Sequence, residues 1–230
     1  MIPKEENRRD VMVIMPAFNE SSVIPSVIEH IQKEGWNTII VIDDASSDDT
    51  SAVAAKAGAT VVRHAINRGK GAALRTGFEI ARKAKVSIVV TMDADGQHEP
   101  REIESLIKPI SEGVCDVTLG TRPFTLSNMG LSKVIANVSA NVITRIVSGL
   151  WVRDSQSGFR AYSEKALERI NTRFDHYEYE SEIIGELARH HLRFREIPIT
   201  TRYTAYSTKK IQRQTFTRGL KTAAKLFLYN

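Results

Sequence analysis

Five short apolar runs, Val11–Met15, Thr38–Ile42, Thr60–Val62, Val86–Met92 and Val117–Leu119, are separated by stretches whose apolar residues recur at helical spacing. That alternation constrains the chain more than any other feature, because it is the form of a mostly parallel sheet covered by helices. Val23, Ile24, Val27, Ile28 and Ile31 mark the first helix, with Ser21 or Ser22 as its cap. Residues 51–57 predict a short helix. A longer one is predicted over 71–84 with Leu74, Phe78 and Ala81 turned inward, and Pro100 suits the first turn of another running to about Ser111. The expected fold is α/β, a Rossmann-like αβα sandwich.

From Leu131 the period changes to one long helix. Leu131, Val134, Ile135, Val138, Val142 and Ile146 share a face, and Lys133, Asn137, Asn141 and Arg145 form a polar stripe on the other. Whether that stripe is ordinary solvated surface or carries function stays open from sequence alone. The apolar runs are far shorter than the roughly 18–20 residues that cross a bilayer. The charged start of the chain lacks the apolar core of an export signal, and the single cysteine, Cys115, makes neither an internal disulfide nor a thiolate cluster. A reducing, cytoplasmic setting is expected. Basic residues exceed acidic ones, 32 to 27, and concentrate between residues 189 and 225 without a recognisable nucleic-acid module, so no nucleic-acid partner is expected.

The densest chemistry is Asp93-Ala94-Asp95-Gly96-Gln97-His98, directly after the Val86–Met92 run. Ligands of open α/β sheets bind beyond the carboxyl ends of strands. In extended backbone residues i and i+2 point to one side, so Asp93, Asp95 and Gln97 converge on one hard cation, Mg²⁺ or Mn²⁺. An isolated Asp-x-Asp is more often a capped turn. Here it stands with Pro16-Ala17-Phe18-Asn19-Glu20 at the end of the first strand and Asp43-Asp44-Ala45-Ser46 at the end of the second, and the three strand ends are expected side by side.

With Asn67-Arg68-Gly69-Lys70-Gly71-Ala72, Gly120-Thr121-Arg122 and Asp154-Ser155-Gln156-Ser157-Gly158-Phe159-Arg160, these segments resemble the inverting family-2 glycosyltransferases of GT-A fold. Within that family the last two segments are similar to the synthases that glycosylate dolichyl or undecaprenyl phosphate. The resemblance covers residues 11–203 and implies a domain of about residues 1–204, followed by a basic amphipathic segment over 205–230. It implies that Asp93, Asp95 and Gln97 bind the metal and donor diphosphate, and that Pro16, Phe18, Glu20, Asp44, Asp93, Ala94 and Lys70 line the donor pocket. It further implies that Arg122, Lys133 and Arg160 hold the acceptor phosphate. Lysine stands at 133 where relatives often carry arginine, a point charge in place of a bidentate fork. Expected partners are a nucleotide sugar, GDP-mannose or UDP-glucose, and a polyprenyl phosphate.

A phosphomonoester acceptor is already anionic near neutral pH, so the reaction needs cations that bring two phosphates together more than it needs a base. Asp95, Arg122 and Asp154 are therefore the expected catalytic set. Asp154 either orients the acceptor, serves as base if the acceptor is a hydroxyl, or forms a structural ion pair with Arg153 or Arg160. Glu182 either reaches the sugar or only caps a helix start. Transfer to a saccharide hydroxyl is the alternative activity. Phe216, Leu220, Ala224 and Phe227 recur at helical spacing with Arg218, Lys221 and Lys225 on another face, the pattern of an interfacial helix on the cytoplasmic face of a membrane.

Overall fold

A computed structural model describes residues 10–123, 131–176 and 178–202, with side chains given from residue 138 onward in the helix that begins at Leu131. The amphipathic stretch expected beyond residue 204 lies outside the described residues. Seven strands form one sheet: β1 (Val11–Ala17), β2 (Ile39–Asp43), β3 (Thr60–Arg63), β4 (Ile88–Thr91), β5 (Val117–Thr121), β6 (Arg160–Ser163) and β7 (Phe194–Pro198). Their order across the sheet is β3-β2-β1-β4-β6-β5-β7. All pairings are parallel except those of β6, which runs antiparallel to both β4 and β5.

The helices are α1 (Ile24–Lys33), α2 (Thr50–Lys56), α3 (Lys70–Ala84), α4 (Ile103–Ser111, after a 3₁₀ turn over Pro100–Glu102), α5 (Leu131–Ser148), α6 (Glu164–Arg169) and α7 (Glu178–Arg189). They form two layers because the strand pleat sorts side chains by parity. Val11, Val13 and Met15 of β1 join Ile24, Val27, Ile28 and Ile31 of α1 and Ile103, Leu106 and Ile107 of α4 in one core. Met12 and Ile14 face the other way, into Leu74, Phe78 and Ala81 of α3 and Ile183, Ile184 and Leu187 of α7. Phe78 meets Tyr162 of β6 edge-on, with ring centroids 5.0 Å apart. The inward face expected for α3 is the observed one.

Helix α5 departs from the usual amphipathic arrangement. Asn141 and Thr144 are buried, while Val138, Val142 and Ile146 are 49%, 41% and 61% exposed. Of the polar row Asn141 faces the protein, because it has backbone to bind there, while Arg145 is exposed: Asn141 Nδ2 donates to Arg153 O at 2.6 Å, and its Oδ1 accepts from Ser155 N at 2.9 Å. Thr144 Oγ1 donates to Ala140 O and lies 2.9 Å from Ser181 Oγ on α7. Two buried polar groups thus find partners, and Val138, Val142 and Ile146 are left outside.

Candidate active site

Parallel β1, β2, β4 and β5 all end at one edge of the sheet, and antiparallel β6 begins there. In register, Pro16 pairs with Ile42, Ile14 with Thr91, and Arg160 with both Thr91 and Leu119. The loops 17–21, 44–50, 92–98, 121–123 and 154–159 therefore meet at one edge, which is where a ligand of an open α/β sheet binds.

The first two loops are laced together. Asn19 N donates to Ser46 Oγ, Ser47 N to Asn19 Oδ1, Glu20 N to Thr50 Oγ1 and Ser21 N to Asp48 Oδ2, all within 2.8–3.1 Å. Both take sharp turns: Asn19 and Ala45 sit at φ 57° and 60°, a left-handed conformation that side-chain-bearing residues seldom adopt. Glu20 is buried, Pro16 is half-buried and Phe18 projects into solvent.

Asp44 is occupied by the protein itself. Its Oδ1 accepts from Arg68 N at 2.9 Å and lies 2.7 Å from His64 Nδ1, and its Oδ2 accepts from Gly69 N at 2.6 Å. His64 in turn lies 3.0 Å from Thr76 Oγ1 on α3. Asp44 therefore fixes the loop that presents Lys70 at the start of α3.

Lys70 Nζ donates to Asp93 Oδ1 at 2.7 Å and to Glu180 Oε1 at 2.8 Å. Burial alone draws the ammonium's pKa down, but Asp93 and Glu180 outweigh it and hold the pKa above the ordinary lysine value. Burial likewise raises Asp93, and Lys70 together with His98, 3.6 Å away, depresses its carboxyl well below the usual range. Glu180 passes the charge inward: its Oε2 lies 2.9 Å from Arg160 Nη2, which also donates to Ser155 O at 2.7 Å. Arg160 is 1% exposed, so it lies beneath the site as the last member of the row Asp93-Lys70-Glu180-Arg160.

Gly158 presses against this row from the β6 side. A Cβ there would stand 2.6 Å from Lys70 Nζ and 3.0 Å from Asp93 Oδ1, so any larger residue would push the ammonium and the carboxylate aside.

Asp95 and Gln97 remain at the lip, both half-buried. Gln97 Nε2 donates to Asp95 Oδ2 at 2.6 Å and Gln97 N to Asp95 Oδ1 at 3.1 Å. The i, i+2 convergence expected from sequence joins these two, while Asp93 turns to Lys70. Among the described residues no group of three His, Cys, Asp or Glu is gathered for a metal. One carboxylate and one amide carbonyl still fit Mg²⁺ or Mn²⁺ bound together with substrate phosphates, since such ions take few protein ligands. Ala94 is buried behind them.

At the same edge of the sheet, after β5, Arg122 grips Asp154 as a fork. Its Nε lies 2.6 Å from Oδ2 and its Nη2 2.9 Å from Oδ1, and Arg122 N adds a bond of 3.2 Å. Asp154 is buried, and Gln156 N also donates to it. The ion pair foreseen as one option for Asp154 exists, with Arg122 as partner in place of Arg153 or Arg160. Lys133 belongs to α5, but its side chain is outside the described residues. Glu182 accepts from Arg173 N and Phe174 N, so it anchors a loop, and burial raises its pKa.

Three participants escaped the sequence reading. Glu180 stands two residues before the glutamate that was singled out, and the helical pattern did not reveal which of the two turns inward. Asn141 was seen only as part of a polar row. His64 lies in a stretch with no motif.

The sequence pattern of Glycosyl transferase family 2 matches residues 12–171. An uncharacterized protein of Methanocaldococcus jannaschii is 42% identical over 211 residues, covering 90% of this chain and 87% of its own. A UDP-N-acetylglucosamine–dolichyl-phosphate N-acetylglucosaminyltransferase of Methanococcus voltae is 33% identical over 219 residues, covering 86% and 87%. Among solved structures, glucosyl-3-phosphoglycerate synthase of Mycobacterium tuberculosis, crystallised with Mn²⁺, UDP and phosphoglyceric acid, superposes with a TM-score of 0.70 at 21% identity. It covers 97% of this chain and 82% of that one.

Proposed function

This chain belongs to glycosyl transferase family 2, and we propose that it transfers a sugar from a nucleoside diphosphate sugar to a polyprenyl phosphate, with inversion and with a divalent metal. The single observation that carries this reading is the gathering, at one edge of the sheet, of two cation sites: Lys70 with Asp93 beside Asp95 and Gln97, and Arg122 gripped by buried Asp154. A reaction between two phosphorylated substrates needs a cation on each side of the new bond. The relative from Methanococcus voltae, named for transfer to dolichyl phosphate, supports the acceptor class.

On the donor side Asp95 and Gln97 would hold Mg²⁺ or Mn²⁺, which neutralises charge on the departing diphosphate. Lys70, fixed by Asp44 through Gly69 and by its two carboxylates, supplies a second positive charge at the same lip. The exposed Phe18 ring and the loops around Ala45 form the wall beyond β1 and β2, where the nucleoside belongs.

On the acceptor side Asp154 sets the direction of the Arg122 guanidinium, and Asn141 holds the Arg153 and Ser155 backbone on either side of it. The acceptor phosphate is itself the nucleophile. Transfer to a hydroxyl would call for an available base, and both oxygens of Asp154 are engaged by Arg122. The structure therefore favours a phosphate acceptor. No helix of the described residues is long and apolar enough to cross a membrane. A polyprenyl phosphate acceptor would be met at a membrane surface, on this reading the cytoplasmic one.

The test is a matrix of labelled donors, GDP-mannose, UDP-glucose and UDP-N-acetylglucosamine, against polyprenyl phosphate and soluble saccharides in Mn²⁺ or Mg²⁺. One donor is expected to label an organic-extractable, mild-acid-labile product. Label confined to soluble saccharide would overturn the acceptor assignment.

A further inference from the structure

The outward face of α5 has no place in the chemistry above, and its composition is unusual. Val138, Val142 and Ile146 lie at i, i+4 and i+8, one above the other on the helix, all exposed. Trp151, just beyond the helix, is 52% exposed, and the Arg145 guanidinium stacks 5.5 Å from its ring centroid. From residue 131 to residue 153 there is no Asp or Glu, while Lys133, Arg145 and Arg153 are basic. We propose that the Val138-Val142-Ile146 stripe, with Trp151 and Arg145, docks on an anionic lipid bilayer and presents the Arg122 opening to lipid-borne phosphate. The inference deepens the polyprenyl phosphate reading above and rests on it.

Charge selects the occupant. A second copy of this face would set Arg145 and Arg153 against the same cations. Residues 203–230 of the chain also contain no acidic residue but carry Lys209, Lys210, Arg213, Arg218, Lys221 and Lys225, so packing that segment on α5 would likewise oppose like charges. Anionic head groups complement Arg145 beside Trp151 and the largely exposed Arg153, whose guanidinium lies 3.9 Å from Glu196, and the acyl region accepts the valines and isoleucine while an indole suits the interface between them. The location fits as well. The inner face of the same helix holds the 153–155 backbone through Asn141, so a bilayer seated on the outer face meets the protein one helix diameter from the Asp154–Arg122 pair.

The two tryptophans provide the measurement. Trp36 is 2% exposed in the core, so quenching by bromine-labelled lipid reports Trp151. Full-length protein is titrated with vesicles of phosphatidylcholine alone, and with vesicles containing one third phosphatidylglycerol, both brominated. Quenching and a blue shift are expected with the anionic vesicles, at least tenfold weaker with the neutral ones, and lost in Trp151→Phe. Val142→Glu/Ile146→Glu, substituted at exposed positions, should reduce binding to anionic vesicles at least tenfold. The same variant should keep wild-type transfer to a short, water-soluble isoprenyl phosphate. Unquenched Trp151, or equal vesicle binding by the double variant, overturns the inference. So does a concentration-dependent dimer dissolved by Val142→Glu, which would mean that a second copy covers the stripe. Vesicle docking through α5 without transfer to any polyprenyl phosphate leaves the inference standing and overturns the acceptor reading instead.

Discussion

The Lys70 ammonium stands between two carboxylates from distant parts of the chain, 2.7 Å from Asp93 Oδ1 after β4 and 2.8 Å from Glu180 Oε1 on α7. It joins the Asp93 loop to the buried Glu180–Arg160 pair, so one charge stabilises the fold at the edge where we propose the donor binds.

Lys70→Met should therefore lose transfer activity and also stability, because Asp93 is left without its ammonium and Glu180 keeps only Arg160. Breaking a buried pair costs about 3–5 kcal/mol, and Lys70 and Asp93 are partly open to solvent, so a loss of roughly 2–3 kcal/mol is expected in denaturant unfolding. Adding Asp93→Asn, which neutralises the carboxylate left without its ammonium while Glu180 keeps Arg160, should restore part of the stability and none of the activity. Additive losses in the double variant would show that Lys70 and Asp93 do not share this interaction.

Gly158→Ala separates the site from the fold. Its Cβ would meet the far end of the Lys70 side chain at 2.6 Å and the Asp93 carboxylate at 3.0 Å, groups that can shift without unfolding the core. Melting should change little, while nucleoside diphosphate affinity and transfer fall, transfer by on the order of 10–100-fold, as expected when reacting groups are displaced by an ångström. An alanine enzyme with wild-type transfer would show that the Lys70–Asp93 geometry is not needed for catalysis.

Arg122→Ala is expected to reduce transfer to polyprenyl phosphate far more than it reduces nucleotide affinity. It also strands buried Asp154, at a stability cost of about 3 kcal/mol. Arg122→Ala/Asp154→Asn should recover the stability but not the transfer. Equal losses of acceptor and nucleotide binding would move Arg122 to the donor side.

The sheet, its order of elements and the clustering of the 16–20, 43–50 and 93–98 segments were legible because periodicity and strand-end position are local signals. The last strand, β7, was not, and neither was the antiparallel β6. Its four residues, Arg160-Ala161-Tyr162-Ser163, carry no distinctive pattern, and its place between β4 and β5 is a long-range choice. The direction of α5 also eluded pattern reading, since hydrophobic periodicity assumes that the apolar face goes inward. Here Asn141 and Thr144 had hydrogen-bond partners inside that outweighed the burial of three aliphatic side chains. Partner choice was the other blind spot. Asp93 and Asp95 look equivalent in sequence, and only the approach of α3 and α7 turns one toward Lys70 and leaves the other at the lip.

Asp116 gives a prediction far from the chemistry. Its carboxylate accepts from Arg193 N, Nε and Nη2 and from Lys165 Nζ within 2.9–3.2 Å, tying β5 to β7 and α6. Burial raises its pKa, but the bonds from Arg193 and Lys165 prevail and lower it to about 2. A depressed folded-state value means stability that is present above the unfolded value near 4 and lost as pH falls toward 2. The shift corresponds to about 2 kcal/mol, reduced to roughly 1–2 because Arg193 and Lys165 are half exposed. Asp116→Asn should be less stable than wild type by that amount at pH 7, and the gap should close between pH 4 and pH 2. A gap independent of pH would assign the effect to packing.

Asp95→Asn tests the metal at the donor lip. Asparagine keeps an oxygen to accept from Gln97 N and has nearly the same volume, so the loop and the fold should persist. What it lacks is the negative charge that, with the Gln97 carbonyl, favours a hard divalent ion. Transfer should fall at least about a hundredfold, since the metal's neutralisation of the leaving diphosphate is worth several kcal/mol. The metal-free melting temperature should stay within about 2 °C of wild type, as expected for a surface change of a few tenths of a kcal/mol. Mn²⁺ with nucleoside diphosphate should raise the wild-type melting temperature and leave that of Asp95→Asn where it was. Asp93→Asn should behave differently, with a lower melting temperature even without metal, because Asp93 balances Lys70 in the folded protein. Undiminished transfer by wild type in EDTA would remove the metal from the mechanism, and identical thermal behaviour of the two variants would remove the division of labour between Asp93 and Asp95.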